Sequence, residues 1–565
     1  LRPILFQAVC TFVLIVTSFF CAGQISPSGG PVDTTPPQIL VSFPSPNSLN
    51  FHGHTIALSF SKYIDHGSLE QSLFFSPPIN DLTFNWGGTD LELKFADSLR
   101  KNTTYILTIG TDVVDLRNHN RMAKAFSLAF STGEYIDSAS VSGKVFDLHP
   151  EGIMVYAYLL NRRNADTLNP SHTVPDYLTQ TGKEGTFLIS NIALGSYRLV
   201  AVRDVYKNLL YDVQLDDYGM TEADVVVDTM KLNASGIQFR MTKEDTSLPF
   251  LSSARSIDRS HFLLRFNKPM DTTAHSAGKL TITDTVHSKE LPWVDLSFDP
   301  SAANQAQLVT ALQDTSAIYR VTLSGFNDSY GNMMNTKGAG TLVTPTNVPD
   351  TMKPTLEFEG FSEHLNTVQR DDTLRITFNE PVRRNAFGLG CALTDTMGNT
   401  INGIFRWWGS MSVAFFPAAP LTLGETYQFK IIMDSVRDLA GNSTHDSIMV
   451  KRFTMVEEKY LGRINGTVSD EKTDAHGNIH IIASEITNKN VKPRELLLAS
   501  PGPFVFNELP EGKYTFSLYR DADNSGGYSY GKPFPYRPAE RFSVGTDTLR
   551  VRARWPLEGV LLKLK

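Results

Sequence analysis

The chain has 565 residues, 41% of them hydrophobic and 20% charged, with a formal net charge of -7. That length exceeds what one hydrophobic core supports and suits four to six modules of about a hundred residues each. The mild acidic excess excludes the basic footprint of a nucleic-acid binder. With no helical periodicity beyond the first segment, an all-β class is expected.

Residues 1–20 read as a signal peptide, with Arg2 as the positive start and Ile4 to Val16 as an apolar run too short to span a bilayer comfortably. Cys21 follows Ser18-Phe19-Phe20. Three readings are open: an acylated Cys21 that becomes the first mature residue, cleavage after Gly23, or an uncleaved anchor. Phe20 is larger than the residue that usually precedes a lipidated cysteine. Residues 21–34 form a tether, because Ser26-Pro27-Ser28-Gly29-Gly30-Pro31 disfavours helix. The stretch Cys21 to Pro37 resembles the start of Bacteroidetes lipoproteins that carry Ig-like domains. That resemblance implies a palmitate-type anchor on Cys21. If Cys21 is acylated and Cys10 leaves with the leader, Cys391 has no disulfide partner and reads as a small buried apolar residue.

One motif order then recurs three times. Asp33-Thr34-Thr35-Pro36-Pro37 leads to Phe60-Ser61-Lys62-Tyr63-Ile64-Asp65 and to Asp115-Leu116-Arg117-Asn118-His119-Asn120. Asp245-Thr246-Ser247-Leu248-Pro249 leads to Phe266-Asn267-Lys268-Pro269-Met270 and to Asp328-Ser329-Tyr330-Gly331-Asn332. Asp350-Thr351-Met352-Lys353-Pro354 leads to Phe378-Asn379-Glu380-Pro381-Val382 and to Asp438-Leu439-Ala440-Gly441-Asn442. In the last copy Thr373 to Phe378 alternates polar and apolar residues like a strand, and Asn379 and Pro381 stop it. The pattern resembles the bacterial Ig-like domains of S-layer proteins, whose motifs read DTTPP, TFSEPV and DLAGN. It implies antiparallel sandwiches over residues 35–134, 244–346 and 347–457. The first copy lacks the Pro of the second motif and the Gly of the third, so different loops are expected there.

Residues 135–243 and 458–565 carry another order. Val141-Ser142-Gly143-Lys144-Val145, Gly185-Thr186-Phe187 and Leu194-Gly195-Ser196-Tyr197 are echoed by Ile464-Asn465-Gly466-Thr467-Val468 and Leu509-Pro510-Glu511-Gly512-Lys513-Tyr514. Both resemble the prealbumin-like modules appended to carboxypeptidases and surface receptors. The chain as a whole is therefore expected to be an elongated, tandem array of Ig-like and prealbumin-like β-sandwiches. In the last module Asp521, Asp523 and Ser525 place oxygens at alternate positions before Gly526-Gly527, as a calcium loop begins. The twelfth position holds Lys532 where a bidentate acid is required, so a plain Asx-rich turn is the competing reading. No other cofactor is suggested.

Little else reads as chemistry. Gly527-Tyr528-Ser529-Tyr530-Gly531 fits G-x-S-x-G, but Lys532-Pro533-Phe534-Pro535 follows, and Pro535 forbids the regular helix that a nucleophile elbow needs. His476 and His480 stand about 13 Å apart if they share a strand, too far for one metal. His52 and His54 have no third ligand nearby in sequence. No enzyme is expected. Trp407 and Trp408 point to opposite faces of a strand, one toward a core and one toward a partner or sugar, unless neighbouring modules cover both. Asp followed by Thr or Ser and then an aliphatic residue, Met or Thr resembles the O-glycosylation sequon of exported Bacteroidetes proteins. It marks Thr285, Thr351, Thr373, Thr396, Ser435 and Ser447 as acceptors, against the alternative that such pairs cap turns. The expected function is a non-enzymatic scaffold anchored in the outer membrane by lipid, favouring the cell surface over the periplasmic face. It would contact other outer-membrane or surface proteins in an assembly or secretion complex. A carbohydrate-binding adhesin is the alternative.

Overall fold

The computed structural model describes residues 31–564 apart from 80, 97, 273–277, 335–339, 360–367, 371, 445–446, 473–474, 489–490 and 546. Cys21 lies outside the described residues. The molecule is built of strands, with two short α-helices and four single 3-10 turns among the described residues. No helix there is long and apolar enough to cross a membrane. Two compact units are found, one of Leu1–Leu210 with Ala223–Met241, the other of Tyr211–Glu222 with Thr242–Lys565.

In the first unit, Thr55–Phe60 alternates half-buried and buried residues, so Ile56, Leu58 and Phe60 share one face. It belongs to a four-stranded antiparallel sheet in the order Ile39–Phe43, Thr55–Phe60, Asp90–Phe95, Leu82–Gly87. A second sheet orders Leu73–Ser76, Thr104–Ile109 and Phe126–Ser131. Leu91, Leu93, Tyr105, Leu107 and Phe130 join the three inward residues in one core, which makes a sandwich.

The second module packs the sheet containing Met154–Leu159 and Gly195–Val202 on one made of Thr186–Ile192, Ala139–Phe146 and Asn233–Arg240. Ala139–Phe146 and Asn233–Arg240 are neighbours and run parallel. Here the glycine of the Ser142-Gly143-Lys144 motif has a steric cause. A Cβ on Gly143 would stand 1.9 Å from the Ile237 carbonyl oxygen and 2.9 Å from the Phe187 ring. The fifth module repeats the arrangement with Leu461–Asp470 parallel to Pro556–Leu564. A Cβ on Gly466 would stand 2.0 Å from the Val560 carbonyl oxygen and 2.8 Å from Phe504. The two modules of the second kind therefore share one topology and one reason for their glycine.

In the second unit, the third module orders Leu251–Asp258, His261–Phe266, Ala302–Thr310, Trp293–Asp299. The fourth orders Leu356–Glu359, Leu374–Phe378, Ser412–Pro417, Gly403–Trp408. Both repeat the first module's strand order. The segment Tyr211–Glu222, which the sequence places inside the second module, groups with the second unit instead. There the Tyr218 hydroxyl donates to the Gly531 carbonyl at 2.8 Å and the Ala539 N–H to the Thr221 carbonyl at 3.0 Å.

Candidate functional site

The three motif copies build the same polar knot. The first Asp precedes the opening strand, the middle residue lies two residues past the end of the second strand, and the last Asp begins a late loop. In each copy the loop asparagine crosses to the main-chain carbonyl of the first Asp. Asn120 Nδ2 donates to Asp33 O at 2.8 Å, Asn332 Nδ2 to Asp245 O at 2.8 Å and Asn442 Nδ2 to Asp350 O at 3.3 Å. The first copy's loop is one residue longer, and His119 takes the positive φ of 54° that Gly331 and Gly441 take in the others. The first copy's loop is thus longer and lacks the glycine, yet keeps the crossing bond.

Two copies place a lysine in the knot. Lys62 Nζ lies 2.7 Å from Asp33 Oδ2 and 3.9 Å from Asp115 Oδ2, and donates to the Thr35 carbonyl at 2.5 Å. Lys268 Nζ lies 2.7 Å from both Asp245 Oδ2 and Asp328 Oδ2, and donates to the Ser247 carbonyl at 2.7 Å. Burial works against the charge of Lys268, but these two carboxylates outweigh it and raise its pKa. Burial likewise works against Asp328, yet Lys268 and the loop amides hold it below the ordinary carboxylate range.

The fourth module has Glu380 in that place. Asp350, Glu380 and Asp438 offer carboxylate oxygens that all lie within 4.8 Å of one another. Asp438 is fully buried and fixed by N–H donors from Gly441 at 2.5 Å and Asn442 at 2.7 Å, and by Asn442 Nδ2 at 2.7 Å. Glu380 is 5% exposed, and its Oε1 accepts no hydrogen bond. Asp350 Oδ1 accepts from the Met352 N–H at 3.1 Å, while Oδ2 accepts nothing. Burial, then the charges of Asp438 and Asp350, push Glu380 up to about 7. Burial, then Asp258 and Asp438, also raise Asp350.

A hairpin of the third module closes over this cluster. His261 Nδ1 is 2.8 Å from Asp258 Oδ2 and 3.7 Å from Asp350 Oδ2. Burial would lower the imidazole, but its bond to Asp258 and the charges of Asp258, Asp350 and Glu380 raise it. The Arg259 N–H donates to the Val348 carbonyl at 2.9 Å beside it. Nearby, Ser410 Oγ donates to Asp295 Oδ1 at 2.8 Å and the Ser410 N–H to Ser297 Oγ at 2.6 Å, joining the fourth module to the third.

The loop after Asp521 behaves differently. Asp521 and Asp523 come together with Glu540, a residue that no local spacing in the sequence points to. All six oxygens accept hydrogen bonds. Asp521 takes the N–H groups of Ser525 at 2.9 Å and Gly526 at 3.0 Å; Asp523 takes Ser525 N–H at 3.0 Å and Ser529 Oγ at 2.6 Å. Glu540 takes the N–H groups of Ala522 at 2.7 Å and Ser529 at 3.0 Å. The Ser525 hydroxyl donates to the Gly527 carbonyl at 2.9 Å. This is the geometry of an Asx-rich turn. Ser529 lies in a loop, with no strand-to-helix turn to expose it.

Trp407 and Trp408 do point to opposite faces. Trp407 stacks on Phe378 at 6.0 Å and packs against the fourth module's core. Trp408 is half-buried outside, with the Arg375 guanidinium 4.8 Å above its ring. Cys391 is buried and pushed up to about 12 by that burial. His480 sits on the strand Asn478–Glu485, with Nδ1 2.5 Å from Glu495 Oε1 and 2.9 Å from the Tyr519 hydroxyl. Of the sequon hydroxyls, Thr351, Thr396 and Ser447 are exposed. Thr285 is exposed but donates to the Ile318 carbonyl at 2.9 Å. Thr373 and Ser435 are half-buried, and Ser435 donates to the Ile432 carbonyl at 2.6 Å.

Residues 33–132 and 350–455 match the family described as "Bacterial Ig-like domain". These are the first and fourth modules. The third shares their strand order and polar knot without matching. No curated protein matches the chain. Among solved structures, the N-terminal part of the bacterial S-layer protein SbsC is 17% identical, with a TM-score of 0.16, over 36% of this chain and 44% of that one. The alignment thus spans less than half of that structure. The Bacillus anthracis TIE protein is 10% identical with a TM-score of 0.15, over 94% and 75% of the two chains. BcpA, the major pilin subunit of Bacillus cereus, is 8% identical with a TM-score of 0.14, over 76% and 99%.

Proposed function

We propose that this chain is a non-enzymatic scaffold of a Bacteroidetes-type cell envelope, held at the outer membrane by acylation of Cys21, that binds partner proteins through the surfaces of its modules. The observation that carries this reading is the presence of five hydrophobic cores, one centred on each module, the second module's core also taking in Ile106 and Ala129 of the first. Such modules leave their outer faces for recognition, and function then lies in those faces. The edge strand Ile39–Phe43 exposes Leu40, Val41 and Phe43 together with unpaired backbone, a surface suited to a partner strand or an apolar patch. The anchor rests on the sequence around Cys21. Two or more acyl chains would hold the protein stably.

The experiment is a pull-down of the tagged chain from detergent-solubilised membranes, beside a Cys21→Ser variant. The expected result is co-purified envelope proteins, and a variant released from the membrane fraction. Recovery of this chain alone would overturn the scaffold, and unchanged membrane attachment of the variant would overturn the anchor. The adhesin reading requires an open aromatic face. Trp408 offers the candidate, but Arg375 covers one side of its ring, so an absence of hits on a glycan array is expected.

A further inference from the structure

We propose that Asp350, Glu380 and Asp438 bind a hard divalent cation of the calcium class at the junction of the third and fourth modules, in the place that a lysine ammonium fills in the first and third.

The comparison within the chain carries the argument. The knot has the same frame in all three copies, down to the asparagine that crosses to the first Asp. In two copies the two carboxylates converge on a cation supplied by the chain, Lys62 or Lys268. In the fourth module the chain supplies a third carboxylate there. A buried cluster of like charge is costly unless something positive or a proton sits within it. Among the described residues, the two buried carboxylate oxygens left without hydrogen bonds, Glu380 Oε1 and Asp350 Oδ2, belong to this cluster. In the cluster at Asp521, by contrast, every carboxylate oxygen, those of Glu540 included, accepts a donor from residues 522–529.

The donor set selects the ion. Oxygen ligands that include several carboxylates suit calcium, which takes about 6–8 oxygens and tolerates irregular geometry. Lys62 and Lys268 also reach the carbonyl two residues beyond the first Asp, at Thr35 and Ser247. The counterpart in the fourth module is the carbonyl of Met352, a further oxygen by register. Zinc is disfavoured because the single imidazole, His261, directs Nδ1 to Asp258 at 2.8 Å. The cluster joins the linker residue Asp350 to the fourth module's Glu380 and Asp438, beside the third module's hairpin. A bound ion would therefore tie the linker to the fourth module, beside the third module's hairpin.

The test uses the full chain, stripped with chelator and titrated with calcium, magnesium and zinc by calorimetry, with thermal melts in parallel. Glu380→Lys copies the sister modules and should fold without metal, and Glu380→Gln removes the charge with little change in shape. Asp523→Asn reports on the other acidic loop. The expected result is calcium binding that raises the melting temperature, is unaffected by Asp523→Asn, and weakens on the order of a hundredfold or more in both Glu380 variants. Wild-type protein that takes up no calcium at millimolar concentration overturns the proposal. So does calcium binding that persists at full strength in Glu380→Lys and Glu380→Gln with their strand content intact.

Discussion

The third and fourth modules show how one residue changes the electrostatics of an otherwise constant frame. In the third, Lys268 is nearly buried between Asp245 and Asp328 and neutralises much of their charge from inside the chain. In the fourth, Glu380 stands between Asp350 and Asp438 and adds charge of the same sign. The backbone is held alike in both, by a loop Asp that collects amide hydrogens and an Asn that crosses to the opening segment. The frame is thus set by backbone hydrogen bonds, while the central side chain decides what the knot needs from outside.

The sharpest way to break the comparison is to exchange the residues. Lys268→Glu removes the cation from a buried triad and should destabilise the third module by about 3–5 kcal/mol, read as a lowered urea midpoint of the full chain. If the frame alone makes the fourth module's site, added calcium should restore part of that loss. Next in size, Trp407→Ala should cost about 3 kcal/mol because its ring packs on Phe378 and Phe387. Trp408→Ala loses chiefly the Arg375 contact and should cost about 0.5–1 kcal/mol. Both are read from the same unfolding curves. Asn332→Ala should cost about 1–2 kcal/mol by freeing the Asp245 carbonyl and one bond to Asp328.

Acid should separate the modules further, though more gently. Asp245 and Asp328 have folded pKa values below their ordinary ones, because Lys268 and the loop donors outweigh burial. Their contribution is present above the unfolded Asp value of about 3.9 and is lost as pH falls through the lower folded values. Wild type should therefore lose stability below about pH 4. Lys268→Met, which lacks the partner, should lose less over the same range; parallel melts across the acid range check this.

The frame was legible in the sequence because each motif has a local cause. Phe378 ends a strand at an Asn and a Pro, Gly441 supplies a positive φ, and alternation marks the inward faces. The opposite orientation of Trp407 and Trp408 follows from the same period. The site was only half legible. Lys62, Lys268 and Glu380 occupy one motif position, and the reversal of charge there was a visible signal. Their convergence on two distant Asp residues was not, since it depends on strands separated by 58 residues between Glu380 and Asp438. The approach of Asp258 and His261 depends on how one module's hairpin meets the next, which periodicity does not encode. Glu540 was hidden for a similar reason. The helix Arg384–Gly390 was missed because it has Gly388 inside it, Gly390 at its end and no side-chain cap, so its stability comes from packing of Phe387.

The parallel neighbours Ala139–Phe146 and Asn233–Arg240 have a mechanical consequence. They are the entry strand and the last long strand of the second module, and they run side by side in the same direction. Tension applied through the flanking chain would drag them past each other lengthwise. The rungs between them would then bear the load together, as in shear, and would not open singly like a zipper.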